Sequence, residues 1–245
     1  MLIAGDHLQL PPVIKTDEAK ELGLEESFME HMVKRVPSRH FMLETQFRSN
    51  FEISAWSSKV LYDSRLRPHN NNKSICLGDL TDKGHDLLRH SGLIWFDTTG
   101  FGMKEGVDLR PDYHESANNP GESKMVAVLY KYLTEVMGIK NEQIGIIAPH
   151  WAQTATIRAD LAEVLQSKVF SNKCFKVGVD QRSVELRTID GYQGREKEVM
   201  IVSMVRANEK FNTGLFEDIR RMNVAITRAK RLCLGYNVLI NVSET

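Results

Sequence analysis

The feature that most restricts this chain's fold is the alternation of short apolar runs with amphipathic stretches over its second half. Ile144 to Ala148, Val184 to Thr188, Val199 to Val205 and Leu232 to Leu234 read as strands, and several are apolar at consecutive positions. A strand apolar at consecutive positions must be covered on both faces. Between them, Gln153 to Leu165 and Ile219 to Thr227 have helical spacing. This pattern predicts an α/β fold with a mostly parallel sheet covered by helices on both faces. A further helix is expected to start at Asn119-Pro120-Gly121-Glu122, with an asparagine cap, a proline at the first helical position and an early acid. Val126, Leu129, Leu133 and Val136 should then face inward.

The first half is less regular. Leu2-Ile3-Ala4 reads as strand cut short by Gly5-Asp6-His7, so the chain is expected to open in mid-strand. Leu24, Phe28 and Met32 share one face of a predicted helix that ends near Pro37; Phe41 to Leu43 then reads as a short strand, and Ile53, Trp56 and Val60 as a second helical stripe. From about Pro68 to Pro120 the chain is rich in Asn, Gly, Asp and His, which predicts long surface connections around one strand, Leu93 to Phe96. With 42% apolar residues over 245 positions, one or two globular domains can bury a core. The 32 basic residues balance 32 acidic ones, so any site for a polyanion must be local. Cys76, Cys174 and Cys233 stand far apart, which fits neither a disulfide framework nor a metal site and suits a reducing compartment. No apolar run reaches membrane-spanning length and no signal peptide is legible, so an intracellular location, cytoplasmic or nuclear, is expected.

In open parallel sheets the loops beyond the strands' carboxyl ends gather the ligand site, and four polar loops qualify by sequence. Gly5-Asp6-His7-Leu8-Gln9-Leu10-Pro11-Pro12 is by itself also a plausible proline-stiffened turn. Glu44-Thr45-Gln46-Phe47-Arg48-Ser49-Asn50 is equally an arginine lying on a ring. Thr188-Ile189-Asp190-Gly191-Tyr192-Gln193-Gly194-Arg195-Glu196 lies between two apolar strands, and its Glu196 could simply pair with Arg195 or Lys197. Arg220 to Arg231 places Arg221, Asn223, Thr227 and Arg228 on one helical face with Met222 and Ile226 inward, which an ordinary basic outer face would also give.

Taken together and in order, these four segments resemble motifs III, IV, V and VI of the superfamily 1 helicases. Ala148-Pro149-His150-Trp151-Ala152-Gln153 is similar to a segment of the Upf1-like branch. Asp97-Thr98-Thr99-Gly100 and Asn119-Pro120-Gly121-Glu122 are similar to the group that includes the immunoglobulin mu-binding protein 2 helicases. The resemblance implies a RecA-like domain of the P-loop NTPase type. Residues 1–40 would be the remnant of a first such domain and residues 41–240 the second. It further implies ATP with Mg2+ as cofactor, single-stranded DNA or RNA as partner, and translocation from 5′ to 3′.

The resemblance also assigns roles. Arg48 and Arg228 would be arginine fingers, suited to the charge that spreads over the γ-phosphoryl oxygens in phosphoryl transfer. Gln9, whose amide both donates and accepts, would sense the γ-phosphate, with Asp6 orienting its loop. Phe47 stands where a tyrosine is common and would stack on the base; Glu196 would accept a ribose hydroxyl, with Gly194 permitting the approach. Pro11, Thr188, His150 and Trp151 would line a backbone-tracking groove for nucleic acid.

Some features depart from the family pattern. No Gly-Lys-Ser or Gly-Lys-Thr occurs and no apolar run ends in Asp-Glu, so the phosphate loop and the magnesium carboxylate are expected on a missing first domain. The chain alone is therefore expected neither to hydrolyse ATP nor to unwind; Met1 is either an internal start or that of a genuine short form, and the mid-strand opening favours the former. Arg48-Ser49-Asn50 replaces the usual Arg-Met-His-Pro, and Leu234-Gly235-Tyr236 interrupts the apolar run expected of the last strand. The competing expectation is a non-catalytic binding module that keeps the fold.

Overall fold

The computed structural model describes residues 2–12, 14, 16–98, 100–108, 116–164, 184–206 and 214–237; Leu165, Cys174 and Thr99 lie outside them. In chain order come helices α1 (Asp17–Glu21) and α2 (Phe28–Arg35), strand β1 (Thr45–Gln46), helix α3 (Phe51–Leu61) and strand β2 (Arg67–Pro68). Helix α4 (Asp86–His90) precedes β3 (Leu93–Asp97) and the pair β4 (Gly106–Asp108) and β5 (Ser116–Asn118). The last part runs α5 (Pro120–Lys131), β6 (Ile144–Ala148), α6 (Trp151–Val164), β7 (Glu185–Thr188), α7 (Ile189–Tyr192), β8 (Lys197–Ser203), α8 (Ile219–Ile226) and β9 (Ala229–Asn237).

Five strands form the central sheet in the order β3-β9-β8-β6-β7, all parallel. Because side chains alternate along a strand, each strand feeds both faces. Ile144, Ile146, Val199, Ile201, Leu232 and Leu234 pack beneath α5 and α6 with Val126, Leu133, Ile157 and Leu161. Ile147, Met200, Val202 and Cys233 pack on the other side against Ile53 of α3, Ile189 and Tyr192 of α7, and Val224 to Ile226 of α8. The expected α/β architecture with both faces covered is the observed one.

Several local expectations are corrected. Residues 2–4 form no strand; Leu2 is 94% exposed. The single helix expected through Leu24, Phe28 and Met32 is two short ones, parted by a turn in which Gly23 sits at φ +82°, and Leu24 and Phe28 face solvent. The strand expected at Phe41 to Leu43 is displaced to Thr45–Gln46, where β2 supplies a partner, and Phe41 and Leu43 are each 87% exposed. In α3, Ile53 is fully buried and Trp56 packs on the core, but Val60 is exposed.

Within α5, Val126 and Leu133 point inward and Leu129 is half-buried, yet Val136 is exposed. A π turn over Tyr132–Val136 rotates the stripe and brings Met137 in instead. The region from 68 to 120 is more than connection: Leu77 and Leu88 join the main core, and β4 pairs antiparallel with β5. The last strand is neither short nor peripheral. It runs nine residues between β3 and β8, with Gly235 placed beside Trp95 of β3.

Candidate functional site

Arg228 directly precedes β9 and Glu196 directly precedes β8, so in a parallel sheet both stand at the strands' amino ends. Arg48 joins them there. Its Nε donates to Glu196 Oε2 at 2.6 Å and its Nη1 to the carbonyl of Thr227 at 3.1 Å. The expectation of a site beyond the carboxyl ends is therefore corrected for Glu196 and Arg228, which the connections into β8 and β9 carry, while Arg48 reaches them from the turn between β1 and α3.

The loop carrying Arg48 is built by its own polar side chains. The Gln46 carboxamide accepts from the backbone N–H of Arg48 and Ser49 at 2.8 and 2.9 Å and donates to the Ser49 carbonyl at 2.6 Å. Ser49 Oγ donates to the Ala229 carbonyl at 2.6 Å, and Asn50 caps α3 while donating to the carbonyls of Ile75 and Arg231. Both side chains are buried, so the Ser49-Asn50 departure from the family pattern is what stitches this loop to the start of β9.

Arg228 is not on the helical face that the sequence suggests. Helix α8 ends at Ile226, and the following turn directs Arg228 inward until only 2% of it is exposed. Its Nε donates to the Val224 carbonyl at 3.1 Å and its Nη2 to Thr227 Oγ1 at 3.0 Å. Nη2 also meets Gln9 Oε1 at 3.5 Å. No carboxylate among the described residues forms an ion pair with it. Burial, helped by the like charge of Arg48, lowers its guanidinium to about 10.

Glu196 is held below the usual carboxylate range, first by its hydrogen bond from Arg48. Its second oxygen lies 3.1 Å from Lys230 Nζ. The pairing with Arg195 or Lys197 is overturned: both of these turn to Glu185, at 2.7 and 3.5 Å. Gly194 adopts φ +79°, a conformation that L side chains resist, and this accounts for the glycine; an added Cβ would meet nothing within 4 Å. Phe47 is 67% exposed and stacks on His69, ring centroids 4.7 Å apart.

Asp6 accepts from Gln9 Nε2 at 2.8 Å and from the Leu8 N–H at 3.0 Å. Two residues to which the sequence reading gave no role complete the surroundings. Tyr62 Oη, at the end of α3, donates to Asp6 Oδ2 at 2.7 Å, and Asn223 Nδ2 donates to Tyr62 Oη and to the Leu8 carbonyl, each at 2.9 Å.

The four residues expected to line a groove are divided. Thr188 pairs in register with Ala148, so Thr188, His150 and Trp151 share the opposite, carboxyl edge of the sheet. His150 is half-buried, its Nε2 has no hydrogen-bond partner among the described residues, and burial lowers its pKa below the usual value. Pro11 instead lines a cavity of about 190 Å³ with Ile3, Leu10, Met29 and Glu30.

A family model described as an AAA domain matches residues 24–235. This chain belongs to that family, among the Upf1-like superfamily 1 helicase domains. It is 33% identical over 231 residues to DNA-binding protein SMUBP-2 of Rattus norvegicus, covering 94% of this chain and 21% of the relative. Against the DNA polymerase alpha-associated DNA helicase A of Saccharomyces cerevisiae the identity is 31% over 242 residues, 94% of this chain and 33% of that one. For the DNA replication ATP-dependent helicase/nuclease DNA2 of Gallus gallus it is 33% over 230 residues, 94% and 20%. The chain thus spans about a fifth to a third of the length of the curated relatives it matches.

The residues present fit the nucleotide that this helicase family implies. Among the described residues no carboxylate pairs directly with the buried Arg228 guanidinium; Glu196 and Asp6 act on it only from a distance, so a phosphate fits beside it as a direct counter-anion. Among the described residues no helix is long and apolar enough to cross a membrane.

Proposed function

We propose that this chain is the ATP-closing part of an ATP-dependent 5′-to-3′ helicase acting on single-stranded DNA or RNA in the cytoplasm or nucleus. Residues 41–240 form the second RecA-like domain, and residues 1–40 end the first, which carries the phosphate loop and the magnesium ligands. The observation that carries this reading is Arg228, buried with no carboxylate ion-paired to it among the described residues and directed at Gln9. When bound, ATP with Mg2+ supplies the phosphoryl group and the metal that neutralises its charge. Arg228 and Arg48 stabilise the charge that develops on the γ-phosphoryl oxygens, and Gln9, held by Asp6, reports on the presence of that group.

Phe47 offers an exposed ring face to the base, and Glu196 retains lone pairs for a ribose hydroxyl beside its two cationic partners. Thr188, His150 and Trp151, which share the carboxyl edge of the sheet, track the nucleic-acid backbone, and Pro11, set apart from them, contacts it separately. As a separate polypeptide the chain holds one wall of the ATP site and turns over no ATP.

The test joins a RecA-like first domain upstream of residue 1. Arg228→Ala in that protein is expected to lower kcat for ATP hydrolysis by about a thousandfold, the usual loss for such a finger. Hydrolysis at the parent's rate would remove the finger assignment.

A further inference from the structure

Around Gln9 the hydrogen bonds form a series with a fixed direction, and its midpoint is a residue with no assigned role. Asn223 Nδ2 can only donate, so at 2.9 Å it occupies a lone pair of Tyr62 Oη and leaves the phenol proton for Asp6 Oδ2 at 2.7 Å. A carboxylate only accepts. Asp6 therefore takes the Gln9 Nε2–H at 2.8 Å, which settles which end of the carboxamide faces which way. Gln9 Oε1 is left toward Arg228 Nη2, at 3.5 Å.

The series is anchored at both ends. Asn223 lies on α8, one residue before the Val224 carbonyl that accepts from Arg228 Nε, and it also holds the Leu8 carbonyl. Three of its four links are 2.7–2.9 Å long, and only the one to Arg228 is long. The rigid part thus ends at Gln9, and the exchangeable contact is the one that points into the site.

We infer that Tyr62 is a positioning residue that couples α8 to Asp6 and thereby sets the orientation of the Gln9 carboxamide toward Arg228. Tyr62 feels the charge of Arg228 but makes no hydrogen bond to either guanidinium; its hydrogen bond goes to Asp6, through which it orients Gln9. Burial, reinforced by the negative charge of Asp6, raises its phenol well above the ordinary tyrosine value, so it remains a donor throughout the physiological range. The functional meaning of this coupling rests on the ATPase reading, but the coupling itself is a property of this chain and is measured without nucleotide.

The test is NMR on the 245-residue chain, comparing the parent with Tyr62→Phe, Asp6→Asn and the double variant. In the parent the Gln9 carboxamide protons should be shifted from free-glutamine positions. Tyr62→Phe, which keeps the ring, should return them toward those positions and speed exchange of the Leu8 amide about tenfold, as losing a hydrogen bond to a charged group predicts. Amides of Val199 to Val202 should keep the parent's exchange rates, and adding Tyr62→Phe to Asp6→Asn should change nothing further at Gln9. Unchanged Gln9 and Leu8 signals in Tyr62→Phe would overturn the inference. So would faster exchange spread equally over β8, because Tyr62 would then be packing alone. Failure of the ATPase reading leaves these signals untouched and shows only in the kinetics of the joined protein.

Discussion

A methyl group added to residue 235 would lie 2.3 Å from the Trp95 ring, closer than non-bonded carbons approach. Strand β9 is central and Trp95 is the register partner of Gly235, so neither backbone can withdraw without disturbing the sheet. Gly235→Ala should cost about 1–3 kcal/mol, the usual penalty for overpacking a core, read as a lower urea midpoint at unchanged slope. An unchanged midpoint would show that Trp95 can swing away. The sequence alone casts doubt on this strand because the reason for the glycine is a side chain on a distant segment. The same holds in the candidate site: the motifs single out Gln9, Arg48, Glu196 and Arg228, which lie near one another, whereas nothing near Tyr62 in sequence ties it to Asp6. The inward turn of Arg228 was equally hidden, since helical spacing continues on paper past the point where α8 stops.

Helix α5 begins with a buried carboxyl that pairs with no cation among the described residues. Glu122 is fully buried; its Oε2 accepts from Ser203 Oγ at 2.6 Å and from the Val205 N–H at 2.9 Å, while Oε1 has no partner. Gln153 of α6 donates to the same Ser203, so this group joins α5, α6 and the end of β8. Burial raises its carboxyl to about 7, outweighing the hydrogen bonds that oppose the shift. Below about pH 4.5 the group is protonated in both states and its contribution to stability is complete. As pH rises the unfolded chain ionises first, and the contribution declines until the folded carboxyl ionises near 7, a loss on the order of 3 kcal/mol. Glu185, Glu196 and Asp218, shifted downward, destabilise the fold only at more acid pH, so the two windows separate. Glu122→Gln should flatten the fall in thermal midpoint between pH 4.5 and 7, and an equally steep fall in the variant would place its origin elsewhere. Elements differ in legibility for a related reason. The sheet strands declare themselves by consecutive apolar residues, but α4 and the turn at Leu77 are too short to show a period, and tertiary neighbours alone decide their burial.

At the scale of the whole molecule, core and edge divide near residue 49. None of the described residues before Ser49 is buried, while both halves of the core are drawn from Ile53 onward. Among the described contacts, residues up to 40 meet the rest through Leu10 packed against the second half of the core, the bonds of Asp6, Leu8 and Gln9 to Tyr62, Asn223 and Arg228, and a 3.8 Å approach of Glu30 to Arg220. Such bonds contribute about 1 kcal/mol each, more where a carboxylate accepts, and the pair at Arg220 less. With about 1.5–3 kcal/mol for the bond to Asp6, about 1 for each of the other two and about 1–2 for the packing of Leu10, removal of residues 1–40 should lower stability by about 4–7 kcal/mol, a large part of the 5–15 kcal/mol ordinary for a domain, and leave one cooperative urea transition. It should also expose Arg228, whose burial depends in part on Gln9. A broad, non-cooperative transition in the shortened chain would show instead that residues 1–40 belong to the folding unit, and the boundary proposed near residue 40 would have to move.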